Sequence, residues 1–161
     1  MSNPLNIDDI LTQVKSIVGA VSDVENTYKG KTSFVNQEAF VSKFRSADKT
    51  KFIGFDIYRS GKTTEFSAYN KYRHNHMITV RGFIGVRDDG EADKSFDTIQ
   101  HILENIQTTL NNNLTLNGTV QNSTPAMLGD IVEDLTTGRL LWVGEVTMMV
   151  EEGQIFTQNV S

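Results

Sequence analysis

The sequence predicts an α+β fold: an antiparallel or mixed β-sheet with two main helices packed on one face. Three observations carry this. Two segments repeat apolar residues at helical spacing, the centre of the chain alternates apolar and polar residues as strands do, and turn residues separate neighbouring strands closely enough for antiparallel pairing. A length of 161 residues suits a single domain.

The first helix follows from Ile7, Ile10, Leu11, Val14, Ile17, Val18 and Val21, which form one stripe at steps of three and four. Asn6 suits the N-cap, Asp8 and Asp9 suit the positive end of the helix dipole, and Leu5 with Ile10 suits a hydrophobic staple. Gly19 is the expected stop. Val21, Val24 and Thr27 then suggest a short strand before the turn Lys29-Gly30-Lys31. A brief helix capped at Ser33 or Asn36 would carry Phe40, Val41 and Phe44.

In the centre, Ile53, Phe55 and Ile57 alternate with Gly54, Asp56 and Tyr58. Ile78, Val80, Gly82, Ile84 and Val86 alternate with Thr79, Arg81, Phe83 and Gly85. Residues 59–76 are polar and long for a hairpin connection, so they form either extended strand ends or a protruding loop or hairpin between the central strands. Asp88-Asp89-Gly90 marks a turn. The second main helix places Phe96, Ile99, Ile102, Leu103, Ile106 and Leu110 on one face, with Asp93 as N-cap and Asn111-Asn112-Asn113 as the stop. Leu114, Leu116 and Val120 then alternate with polar residues as a strand would. A final hairpin is expected from residues 127–135 and 140–150, joined at Thr136-Thr137-Gly138, and residues 154–161 suit a flexible tail.

Composition excludes several functions. The absence of cysteine removes disulfides, thiolate metal sites and thiol nucleophiles. A formal charge of −5 argues against general affinity for nucleic acid or acidic membranes. No apolar run approaches the roughly 20 residues of a membrane helix. No Lys or Arg precedes Lys15, so a secretory leader is not expected and cytosolic synthesis is. The Asn-x-Ser/Thr triplets at Asn113, Asn117, Asn122 and Asn159 are read as turn chemistry.

The chemical motifs are weak. Ser60-Gly61-Lys62-Thr63 resembles the end of a phosphate loop, but Asp56 stands where that motif needs its first glycine, and a β-turn is the better reading. His74 and His76 share a strand face but lack a third ligand, so solvated or interface histidines are expected. Nothing anchors a nucleophile, and adjacent carboxylates such as Glu151 and Glu152 point apart. No catalytic, cofactor or metal site is therefore expected.

Charge distribution is more informative. Residues 59–76 carry a net charge of +3 with Phe66, Tyr69 and Tyr72 interleaved, whereas residues 127–152 carry −5. Complementary, non-identical patches suit head-to-tail contact between copies of one chain. Two ordinary solvated surfaces, a contact within one subunit, or nucleic-acid contact by stacking on Tyr69 or Tyr72 with Lys71 and Arg73 on phosphates are the alternatives, the last opposed by the overall acidity. The charge pattern selects Arg59, Lys62, Lys71, Tyr72 and Arg73 against Asp130, Glu133 and Asp134.

Several features together carry a resemblance: the N-terminal amphipathic helix, the block Lys51-Phe52-Ile53-Gly54-Phe55-Asp56-Ile57-Tyr58-Arg59, and the basic strand entry Tyr72-Arg73-His74-Asn75-His76-Met77-Ile78-Thr79-Val80-Arg81-Gly82-Phe83. The acidic turn, the helix over residues 93–110 and the closing strands with Gly138-Arg139-Leu140-Leu141-Trp142 complete it. In this order and length the chain resembles the tail terminator, or tail completion, proteins of long-tailed bacteriophages. The resemblance implies a non-enzymatic virion protein assembled as a hexameric ring. Such a ring caps the tail tube, stops its polymerisation and joins it to the head-completion proteins of the neck, while DNA passes through the lumen without specific binding. A stopper, an adaptor or a tube protein are neighbouring alternatives, and a small-molecule-binding α+β domain is a more distant one.

Overall fold

The computed structural model describes residues 7–33, 37–45, 52–68, 71–86, 92–120, 122–135 and 140–156. The two strongest helical stripes become α1 (Ile7–Gly19) and α3 (Ala92–Asn111), and α2 (Gln37–Lys43) lies between them in sequence. The strands are β1 (Thr27–Lys29), β2 (Ile53–Ala68), β3 (Lys71–Gly85), β4 (Asn122–Ser123), β5 (Met127–Leu128), β6 (Val132–Asp134) and β7 (Leu141–Phe156). They form one mixed sheet in the order β1-β2-β3-β7-β4, with β5 and β6 also paired to β7. Only the β1–β2 pair is parallel among the described strands.

The sheet has two differently built faces, because strand side chains alternate. On one face, Ile53, Phe55, Ile57, Ile78, Val80, Val146, Met148 and Val150 join the buried stripes of α1 and α3 in an aliphatic core. Leu103 of α3 sits over the register pair Gly82–Gly144. A Cβ at Gly82 would lie 2.8 Å from the Phe55 ring and 3.0 Å from Leu103, and one at Gly144 would lie 2.6 Å from Leu103, so the missing side chains form a notch that admits both the Phe55 ring and α3. On the other face, Phe40, Phe44, Phe52, Phe83, Leu141 and Val143 make a second, largely aromatic core. Phe44 meets Phe83 edge to face at 4.4 Å, and Gly54 leaves the room that the Phe44 ring occupies.

Several expectations change. Of the two readings of residues 59–76, the described part (59–68 and 71–76) takes the extended strand ends: β2 and β3 stay paired to Ala68↔Lys71, and Ser60-Gly61-Lys62-Thr63, expected as a β-turn, is strand with a bulge between Arg59 and Gly61. Because β7 flanks β3 as far as Phe156, a protruding hairpin is not confirmed; residues 154–156, expected in a tail, continue β7. The alternating residues 114–120 form turns, not a strand. Leu116, Asn117 and Gly118 all take positive φ (50°, 60° and 81°), and the Asn113 carboxamide accepts the Asn117 N–H at 2.8 Å, so local asparagine chemistry overrides the alternation while Leu116 is still buried. The helix α3 begins at Ala92, which puts Asp93 in its first turn, not at its N-cap. The segment expected as a strand near residue 20 is reduced to β1, with Val21 and Val24 in turns.

The caps Asn6 and Asn36, the staple residue Leu5, and the turns at Asp88-Asp89-Gly90 and Thr136-Thr137-Gly138 lie outside the described residues.

Candidate functional site

The ladder of strand pairs fixes where the charged patches lie. Arg59 and Lys62 are exposed on β2, opposite Ile78 and His76 of β3, which in turn face Met148 and Val150 of β7. Lys71 pairs with Phe156 at the end of the β3–β7 ladder. Tyr72 is half-buried and meets the Phe66 ring edge to face at 5.7 Å. Glu133 and Asp134 lie on β6, opposite Trp142 and Leu141 at the other end of β7, and Asp130 is exposed just before β6.

From Trp142 to Val150 the strand rise spans about 26 Å, and the three inter-strand spacings from β2 to β6 add about 14 Å across the sheet. Arg59 and Lys62 on one side and Asp130, Glu133 and Asp134 on the other therefore lie toward diagonally opposite corners, out of reach of one another within one subunit, while the acids Glu65 and Glu151 lie at the basic end.

Arg73 is placed differently. Its Nε lies 3.0 Å from Glu151 Oε1 of the same chain, across the β3–β7 ladder, so it is already partnered by an acid of the negative segment. This pair borders a cleft of about 200 Å³ lined also by Asn75, Asn122, Ser123, Thr124 and Met149. The charge-selected set thus divides: Arg59 and Lys62 face outward, while Arg73 is engaged within the subunit.

A second polar cluster lies on the aromatic face. Asp56 is fully buried, and Arg81 nearly so. Arg81 donates from Nε to Asp56 Oδ1 at 3.0 Å and from Nη2 to Asp56 Oδ2, a bidentate fork. The same Nη2 donates to the Thr32 carbonyl at 2.8 Å, and the Thr32 N–H donates to Asp56 Oδ2 at 2.9 Å. The segment between β1 and α2 is thereby latched onto the sheet. Beside it, the Tyr58 hydroxyl donates to Glu145 Oε1 at 3.4 Å. Burial first, and the nearby Glu145 carboxylate second, push the Tyr58 phenol up to about 12.

This cluster escapes sequence reading because Asp56 and Arg81 stand in the polar phase of their strands, where solvent exposure is the natural expectation. The available signal is a single Asp and a single Arg inside two otherwise apolar segments. Both Asp56 oxygens and the Nε and Nη2 of Arg81 find partners within it, so the cluster acts as a structural latch.

The His74 and His76 side chains fall on the helix-bearing face; His74 Nδ1 lies 2.8 Å from Thr64 Oγ1, and His76 is buried, contrary to the solvated reading. His101 is exposed. Among the described residues no three His, Asp or Glu side chains are grouped as metal ligands, and no helix is long and apolar enough to cross a membrane. No protein-family model matches the sequence, and no curated protein does.

Proposed function

We propose that this chain is the subunit of a phage tail terminator ring, a structural virion protein that caps the tail tube, stops its polymerisation and joins the tail to the neck. The observation that supports it best is the diagonal placement of opposite charge: Arg59 and Lys62 at one corner of the sheet, Asp130 and Glu133 at the other. Two different patches on one subunit make a heterologous contact, and a heterologous contact that closes gives a ring. The likeness in element order to tail terminator proteins supplies the role of that ring. Six copies make the ring, its faces meet the tube protein and the head-completion proteins, and the acidic subunits line a channel that repels DNA and lets it pass.

Solution mass tests the reading directly. Light scattering coupled to size exclusion is expected to give about 108 kDa, six times 18.0 kDa, at low salt, and smaller species at high salt. Purified tail tubes mixed with the protein are expected to show capped ends in electron micrographs. Filaments of the protein alone would indicate a tube protein, a ring that leaves tubes uncapped would indicate a stopper or adaptor, and a monomer that ignores tubes would sink the ring.

A further inference from the structure

The corners that carry the charge are also where the sheet is unfinished. Among the described residues β1 covers β2 only at Phe55, Asp56 and Ile57, so no strand lies along the outer edge of β2 beyond residue 58. Among the described residues that leaves the outer row of backbone N–H and C=O groups over Arg59–Phe66 with no partner strand, a template for another strand. At the opposite edge, β6 pairs with β7 on one side, and among the described residues no strand lies on its other side.

Both edges carry apolar side chains that the subunit does not cover. Phe66 is 67% exposed beside the β2 edge, and Met127, Val132 and Leu135 are 69%, 54% and 64% exposed along the β5–β6 edge. Large apolar residues concentrated at two edges of opposite charge point to a surface that meets its complement.

We propose that the outer edge of β2 in one copy pairs with the outer edge of β6 in the next, so that the sheet continues from subunit to subunit. The occupant is a second copy of this chain, because the basic edge and the acidic edge are complementary and reside on the same molecule. Backbone hydrogen bonds supply the pairing, and Arg59 and Lys62, which share the helix-bearing face of the sheet with Glu133, face Asp130 and Glu133. This deepens the ring reading and rests on it, since only a heterologous contact uses both edges of every subunit.

The cysteine-free chain permits a direct test. A T63C/V132C variant places one thiol on each edge, about 30 Å apart within a subunit by the strand spacings, far beyond disulfide reach. Short-armed bismaleimide treatment is expected to give a ladder of covalent multimers ending at the ring number, with each single variant remaining monomeric on a denaturing gel. Adding R59E/K62E is expected to lower the crosslinked fraction at least tenfold at low salt, and D130R/E133R in the same chain to restore it.

Dimers from either single variant would show a two-fold contact and overturn the inference. A ring by light scattering that fails to crosslink would overturn the edge pairing and leave the ring standing. A monomer that does not crosslink would overturn both, and crosslinked open filaments would keep the edge pairing and remove the terminator role.

Discussion

The two faces of the sheet solve the same burial problem with different chemistry. Beneath α1 and α3 the surface is almost wholly aliphatic, and shape decides the fit: Leu103 drops into the notch left by Gly82 and Gly144. On the other face a short helix offers only a few rings, and the rest of the closure comes from an ion pair that holds the Thr32 backbone. An aliphatic interface tolerates the loss of one partner by partial collapse, whereas a buried charge that loses its partner has nowhere to relax. The aromatic and ionic face should therefore be the more brittle of the two.

Breaking the ion pair is the severest test of that contrast. Arg81→Met leaves Asp56 buried and unpaired and is expected to cost about 3–5 kcal/mol in urea unfolding. The double variant D56L/R81M removes both charges and is expected to recover at least half of that loss. If the single and double variants were equally unstable, the Thr32 contacts and not the charges would be the important element.

Next in size, Phe44→Ala removes a fully buried ring touching Tyr28, Phe40 and Phe83. It is expected to cost about 3–5 kcal/mol, and Leu103→Ala on the other face about 2–5 kcal/mol. Thermal unfolding of the two variants compares the faces directly, and a far smaller loss for Phe44→Ala would mean that the aromatic core is dispensable.

Filling the notch is gentler. Gly144→Ala sets a Cβ 2.6 Å from Leu103 Cδ1 and 3.0 Å from Ile131 Cγ1, and overpacking of this kind is expected to cost about 1–3 kcal/mol. Because Leu103 Cδ1 is the nearer of the two atoms the new methyl strikes, Gly144→Ala is expected to cost less in a Leu103→Ala background than in the wild type, with the remainder coming from Ile131, in a double-mutant cycle.

The pH response separates the faces in another way. Tyr58 holds its proton to about 12 in the folded chain against 10.0 for the ordinary phenol. The native state thus binds more protons than the unfolded state between those values, so stability is untouched by Tyr58 below pH 10 and falls as pH rises from 10 to 12. The phenolate difference spectrum between wild type and Tyr58→Phe follows this titration. Glu145→Gln should lower the midpoint only in part, since burial is the larger cause.

The smallest effect is expected at the sheet end. Arg73→Ala removes a pair whose two side chains are partly exposed, and should cost about 0–1 kcal/mol, shrinking further in salt.

Much of the architecture is legible from residue spacing. The helices α1 and α3 announce themselves because each buries a stripe wide enough to repeat over several turns. The central strands do so because their apolar phase faces α1 and α3. Where the pattern is short, local chemistry competes with it: Leu114, Leu116 and Val120 alternate like a strand, yet the asparagines around them close turns. Of the charge-selected residues, Arg59, Lys62, Asp130 and Glu133 are exposed, but Arg73 is taken up by Glu151, a contact set by the register of β3 on β7.

Periodicity, composition and charge, which depend only on neighbours along the chain, determined the α+β class, the main helices, the central strand pair and the existence of oppositely charged segments. Pairing between distant segments decided the rest: that Asp56 and Arg81 are interior, that residues 59–68 and 71–76 are ladder, and that Arg59 and Lys62 sit far across the sheet from Glu133 and Asp134. A residue's phase on a strand is local, but what covers each face and each edge depends on segments tens of residues away. For that reason the latch and the two open edges became visible only in the folded molecule.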